Sequence, residues 1–393
     1  MAGPAPRPAL LTIRFLRLWS FGFFTFFTLF QLLPTIPFRI VDLGGTRAQA
    51  GLFLAIYTYA CALSAPITGA IADHVGRRRL LRIASTGFVF FSLLYGVVES
   101  LGLLLAIAVV HGVAWSGILS SSAAIMTEII PESRRTEGIA YWGMASTAAV
   151  AIAPLVGLTL YRRSWQTLTL ELTATSILMV VLALFVRAGQ GRSDRPFPAL
   201  KEVVDWRVMV LSLSLFAIAF SYGGITSYVA MMSVDRGIQP PSLFFSVFAA
   251  AILLTRLITG PLGDRIGPKR LLYPSVAMIP PALALLAFAD SRADVVVAGI
   301  VFGTGFGGAY PAFATYVLGR TDPGRRAATF GSIVWAFDTG IGTGSLGTGW
   351  LIEHSGYRTA FLAGAAVAIA SIPIFVRASR LLPAAAVVTG PEP

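Results

Sequence analysis

The sequence predicts an all-α integral membrane protein, with twelve transmembrane helices in two six-helix pseudo-repeats. Three observations carry this. Of 393 residues, 56% are hydrophobic and only 12% charged, whereas soluble domains carry roughly 25% charge. Twelve apolar runs approach or exceed the roughly 20 residues a helix needs to cross a bilayer. A single offset of 191 residues aligns three separate places in the two halves.

The spans run near 15–37, 49–72, 80–98, 101–124, 137–160, 165–187, 207–231, 242–262, 271–289, 293–316, 328–351 and 358–377. The first apolar run lasts from about Phe15 to Phe38. That is longer than the roughly 7–15 apolar residues of a signal peptide, and no small-residue cleavage site follows, so it is expected to stay as the first helix. The polar stretch from Ala188 to Asp205 holds two prolines and mixed charge. The expected organisation is a six-helix bundle over 1–187, a cytoplasmic linker over 188–205 and a second six-helix bundle over 206–393.

The net charge is +12, from 30 basic and 18 acidic residues. A basic balance can signal nucleic acid, but these residues gather in short loops between apolar spans, as the positive-inside rule requires. No nucleic-acid partner is expected. With the N-terminus placed in the cytoplasm, 22 of the 30 basic residues fall on that side and 7 on the other. Both termini are therefore expected to be cytoplasmic, in a plasma membrane such as the bacterial inner membrane. The single cysteine, Cys61, lies within a span. It cannot form an internal disulfide, and no metal site is expected.

Between spans two and three the chain reads G-A-I-A-D-H-V-G-R-R-R from Gly69 to Arg79, and G-P-L-G-D-R-I-G-P-K-R occupies Gly260 to Arg270. The 191-residue shift carries Gly69, Asp73 and Gly76 onto Gly260, Asp264 and Gly267, Arg134-Arg135 onto Arg325-Arg326, and Gly112 onto Gly303. This is a duplicated unit. Gly76 suits a tight turn, Gly69 suits close helix approach, and Asp73 can pair with Arg77 and face a helix N-terminus. Gly-x-x-x-Asp-x-x-Gly-Arg in this setting resembles the signature loop of the major facilitator superfamily, across nearly the whole chain. The resemblance implies a cytoplasmic latch between the halves, built from Gly69, Asp73, Gly76 and Arg77 with Gly260, Asp264 and Gly267. Arg256, one turn before Gly260, is grouped with it. Anchoring of the loops to lipid headgroups is the alternative.

In span five, Ala140, Ala149, Ala153, Pro154 and Gly157 resemble the family's antiporter motif, with alanine at three glycine positions and Leu158 at the last. Pro154 and Gly157 serve simple helix packing on the other reading. The family's drug–proton antiporters carry an arginine in span four, four residues before a glycine. This chain has Ala108 before Gly112.

An ionisable group at the bilayer centre costs about 2.5–3.5 kcal/mol on insertion scales, so each needs a reason. Asp338 stands near the middle of span eleven and His111 about as deep in span four, with Glu171 about two turns inside span six. All three are proton-coupling candidates. Interhelical hydrogen bonds are the alternative for Asp338 and His111, and snorkelling to the surface is the alternative for Glu171. The resemblance implies a central cavity lined by spans one, four, seven and ten. Helical spacing on those spans offers Gln31, Trp115, Tyr222, Thr226, Phe306 and Tyr310. Such a cavity suits a lipophilic or amphipathic small molecule, or a cation held by ring faces, although an aromatic stripe can equally serve lipid contact or packing.

Gly303-Thr304-Gly305-Phe306-Gly307-Gly308 satisfies the G-x-G-x-x-G pattern but lies inside an apolar span. A dinucleotide site needs a preceding strand and a helix start, so helix packing is expected instead. No cofactor is expected, and the sequence carries no catalytic pattern in an aqueous loop. The resulting expectation is a monomeric secondary transporter working by alternating access, with proton-coupled efflux first and proton-coupled uptake second. A transport-dead receptor or sensor is the reading from another class. An enzyme is not expected.

Overall fold

A computed structural model describes residues 9–187, 206–321 and 326–381. The predicted linker, 188–205, lies outside the described residues, as does Arg325.

Every regular element among the described residues is helical. The helices are α1 (Ile13–Leu32), α2 (Ile36–Asp42), α3 (Arg47–Val75), α4 (Arg77–Val97), α5 (Leu101–Ile129), α6 (Arg135–Tyr161), α7 (Trp165–Phe185), α8 (Trp206–Asp235), α9 (Leu243–Ile266), α10 (Pro268–Ala277), α11 (Ile279–Ala287), α12 (Arg292–Leu318) and α13 (Arg326–Ala378). Among the described residues, ten stretches are long and apolar enough to cross a membrane. The count reaches twelve because Leu243–Thr259 is a further, shorter apolar helix and α13 holds two spans, joined at a kink where Gly356 has φ 77°. Only glycine takes such a φ without strain.

Local sequence sets the boundaries. Thr12 caps α1 by accepting the Phe15 N–H at 3.2 Å, and Ser164 caps α7 through Thr167 N–H at 3.0 Å. Ser291 and Asp294 form a capping box at the start of α12. Pro34 lies in the turn between α1 and α2, and span nine is divided into α10 and α11 next to Pro280 and Pro281. Proline lacks the N–H that would continue the helical ladder. Buried hydroxyls bond back to carbonyls on their own helices, as Thr25 does to Phe21 at 2.7 Å and Ser85 to Leu81 at 2.7 Å. In hydrocarbon no water could satisfy them. Large apolar side chains such as Leu63, Ile67, Phe90, Val97, Leu170 and Leu254 are exposed, as suits a chain whose helices face lipid.

The chain forms two compact units. One is Met1–Thr46 with Tyr59–Phe197, and the other is Arg47–Thr58 with Pro198–Pro393. Within the first, α1 packs on α6 and α7, and α4 packs on α5 and α7. Within the second, α8 runs along α13, α9 packs on α12, and α11 packs on both α12 and α13. The first turns of α3 thus group with the second unit and the rest with the first.

Candidate functional site

In the second unit, rings from α8, α9, α12 and α13 form one continuous cluster. Its root is the fully buried set Phe244, Phe248 and Phe302, with Phe248 and Phe302 5.6 Å apart. From that root, Phe302 stacks on Phe306 at 5.7 Å and Tyr222 stacks on Phe306 at 4.7 Å. Phe337 bridges Phe306 at 6.1 Å and Tyr310 at 5.0 Å. These separations are in the range where ring pairs attract one another beyond their buried area. Tyr222, Phe306, Tyr310 and Phe337 are only half-buried, as is Asp338 beside them. The Asp338 carboxylate lies within electrostatic reach of the Tyr310 hydroxyl. Of the predicted cavity residues in this unit, Tyr222, Phe306 and Tyr310 therefore meet. Thr226 does not join them: it is 1% exposed, and its hydroxyl donates to the Tyr222 carbonyl at 2.8 Å. Phe337 was not among the predicted lining residues, although it immediately precedes Asp338.

Glycine makes this arrangement possible. A Cβ on Gly340 would stand 2.6 Å from the Phe216 carbonyl oxygen, and one on Gly344 or Gly223 would meet the Phe220 or Ile341 carbonyl closer still. The backbones of α8 and α13 thus touch directly, as small residues permit in membrane helices. The G-x-G-x-x-G string has the same purpose. It lies inside α12, where a Cβ on Gly303 or Gly305 would stand 2.6 Å from the Phe248 or Ser275 carbonyl.

In the first unit the predicted residues Gln31, His111 and Trp115 are buried, whereas Glu171 is half-buried. Trp115 is 7% exposed and meets Phe26 edge-on at 5.1 Å. His111, 3% exposed, packs edge-on against Phe88 at 4.4 Å and pairs through Nδ1 with the Tyr95 hydroxyl at 3.1 Å. That geometry fits a bond across helices. Gln31 is 0% exposed, and its amide lies beside the Glu171 carboxyl. A Cβ on Gly157 would stand 2.7 Å from the Gln31 carbonyl oxygen, so Gly157, three residues after Pro154, lets α6 close onto α1.

The two duplicated loops share one backbone device. Gly76 (φ 99°) and Gly267 (φ 85°) each stand at the N-cap of the next helix. Arg77 pairs with Asp73 at 3.2 Å and also with Glu128 of α5, a partner that sequence spacing did not reveal. A Cβ on Gly69 would meet nothing within 4 Å among the described residues. Arg256 is exposed on α9, and the side chain of Asp264 lies outside the described set. In the loop after α5, Glu137 holds Arg134 through bonds of 2.7 and 2.9 Å, which raises the guanidinium pKa further.

The sequence model of the Major Facilitator Superfamily matches residues 18–245 and 211–392. The chain belongs to the major facilitator superfamily. It is a multi-pass membrane transporter of small molecules, as superfamily members are, and not an enzyme. It is similar to the Multidrug resistance protein MdtG of Serratia proteamaculans, 25% identical over 80% of this chain and 81% of the relative. It is similar to the Staphylopine export protein of Staphylococcus aureus, 22% identical over 94% and 97%. Among solved structures, the nucleoside transporter NupG superposes with TM-score 0.74 at 17% identity, covering 94% of this chain and all of that one. A POT family transporter in complex with 5-aminolevulinic acid superposes with TM-score 0.76 at 13% identity, over 93% and 96%. At such identities the likeness shows the superfamily fold alone.

One cluster of this superfamily member escaped sequence reasoning. Arg47 pairs with Asp235 at 2.7 Å, Tyr357 donates to the same carboxylate at 2.8 Å, and the Arg47 N–H donates to Glu353 at 2.8 Å. Below them the Tyr228 hydroxyl donates to the Arg47 carbonyl at 2.7 Å, and Ser345 donates to the Gly51 carbonyl at 3.1 Å. These bonds fasten the start of α3 to α8 and α13. Residues 188 positions apart share no spacing rule, so no periodic signal announced them.

Proposed function

We propose that the protein exports a small lipophilic or amphipathic molecule in exchange for protons, by alternating access between its two bundles. The observation that carries the substrate class is the half-buried aromatic face of Tyr222, Phe306, Tyr310 and Phe337, with the Asp338 carboxylate at its edge. Ring faces and one acid suit a molecule with an apolar body and a polar or cationic group. Relatives named for multidrug resistance and for staphylopine export support the outward direction. Asp338 is the first candidate to carry the proton, while the packing of His111 favours a structural bond. The duplicated loops, Gly69 to Arg77 and Arg256 to Gly267, act as the latch on the cytoplasmic side. The Arg47 cluster is the opposing fastening, which must release when α3 moves with the first unit. The excess of basic residues on one side supports cytoplasmic termini, and the bacterial relatives support a bacterial plasma membrane. The working unit is a monomer.

The test is proton flux in proteoliposomes challenged with a panel of lipophilic cations, sugars and amino acids. Exchange predicts proton movement opposite to the added compound, with the lipophilic members only. Movement in the same direction would indicate uptake by symport, and no proton movement with any compound would overturn the reading.

The latch carries its own expected outcome. The side chains of Asp73 and Arg77 are 48% and 26% exposed, and an ion pair so exposed contributes at most about 1 kcal/mol to stability. Asp73→Asn should therefore insert and fold normally. Its transport rate should fall about tenfold, within the usual range of coupling between conformations. Unchanged transport by a well-folded Asp73→Asn protein would rule out the latch.

A further inference from the structure

We propose that Glu171 and Gln31 form a proton-binding site inside the first unit, separate from Asp338. The site rests on an antiparallel ladder between α1 and α7. Thr25 contacts the Met179 sulfur at 3.2 Å, and Thr28 donates to the Thr175 hydroxyl at 3.0 Å. Thr175 in turn donates to the Glu171 carbonyl at 3.0 Å. One rung further along, the Gln31 amide comes within interaction range of the Glu171 carboxyl, without reaching hydrogen-bond geometry. The register is regular, with α1 presenting residues 25, 28 and 31 and α7 presenting 179, 175 and 171. The two elements therefore aim Gln31 and Glu171 at one another.

What they lack is a complete set of hydrogen bonds. Gln31 is 0% exposed, and neither its amide nitrogen nor its amide oxygen has a partner of hydrogen-bond geometry among the described residues. The buried Oε2 of Glu171 has none either. An ionised carboxylate offers acceptors only, so it can take the amide N–H but leaves the amide oxygen orphaned. One added proton cures this. The carboxylic O–H donates to the Gln31 amide oxygen, while the amide N–H donates to the other carboxyl oxygen. Both buried groups are then paired, which removes the desolvation penalty that an unpaired buried polar atom carries. The proton comes from water, binds one oxygen of Glu171 and leaves the pair neutral.

The titratable groups on the elements packed around this pair are engaged elsewhere. Arg39 stacks over Trp165 and donates to the Val98 carbonyl at 3.3 Å, and Asp42 takes the Tyr161 hydroxyl. Tyr95 is bonded to His111. Arg17 lies over Phe185, at the far end of α7, and Arg162, Arg163 and Glu99 are exposed. Glu171 itself is half-buried and sits about 9 Å along the helix from Trp165. On the proposed topology it opens toward the outer side, where an exporter collects its protons. At the other end, the ladder stops at a methionine sulfur. A proton held at Glu171 therefore needs a movement of the helices to go further.

Proton binding here does not depend on the proposed function, whereas a role in transport rests on it. The test is an infrared pH titration of the purified full-length protein without substrate. Wild type should show a protonated-carboxyl band that fades as pH rises. Glu171→Gln should lack it, Glu171→Asp should retain a displaced one, Gln31→Leu should shift its frequency, and Asp338→Asn should leave it in place. Identical titrations of wild type and Glu171→Gln would overturn the proposal, as would a band lost only in Asp338→Asn. Should Glu171→Gln fail to fold, an unshifted band in Gln31→Leu would overturn it equally. If the band behaves as expected but wild-type liposomes move no protons, the export reading fails and the site stands. Proton-coupled flux without the band fails the site alone.

Discussion

Asp338→Asn is expected to abolish concentrative transport while substrate binding survives. Asp338 is half-buried beside Phe337 and Tyr310, in a helix whose surrounding residues are mostly small. A charge at membrane depth costs about 2.5–3.5 kcal/mol on insertion scales, so the position keeps its acid for a reason other than stability. Asparagine matches the carboxyl in size and resembles its protonated form permanently. The aromatic face stays intact, so the molecule it holds should still bind. What disappears is the alternation between charged and neutral states that couples substrate to protons. The measurement is a pH-jump flux assay beside a binding assay on the same purified protein. Accumulation against a gradient with unchanged pH dependence would make Asp338 a structural residue.

The second large effect lies a few residues further along the same helix. Gly344→Ala should destabilise the second unit by about 3 kcal/mol or more, beyond the usual overpacking cost of 1–3 kcal/mol. Its Cβ would be driven into the Phe220 carbonyl. That is backbone and cannot rotate aside, so α8 and α13 must separate along their contact. The Tyr222 and Phe337 rings, which those helices hold, would lose register with Phe306 of α12 as well. Gly331→Ala is the control. It lies on the same helix, and its Cβ meets nothing within 4 Å among the described residues. Helix propensity alone should make that change neutral or stabilising by about 0.5–1 kcal/mol. Thermal unfolding in detergent separates the two, and equal melting of Gly344→Ala and wild type would refute the packing argument.

The membrane class, the twelve spans and the superfamily loop were legible from sequence because each depends on composition or short-range spacing. Hydrocarbon demands about 20 apolar residues per crossing whatever the neighbours are, and a glycine with positive φ is needed wherever a helix must turn sharply into the next. Gly76 and Gly267 therefore announced themselves. The aromatic faces of spans seven and ten were readable from helical period as well, which is why Tyr222, Phe306 and Tyr310 meet. Period alone could not say which residues on a face stay open. Gln31, Trp115 and Thr226 have the same spacing but are buried, because a neighbouring helix or their own backbone claims them. The joining of Gln31 to Glu171, of Arg77 to Glu128 and of Arg47 to Asp235 was decided only by the tertiary structure. Those pairings depend on how far two helices slide and rotate against one another, and that is set by direct glycine-to-backbone contacts such as Gly157 on Gln31 and Gly344 on Phe220.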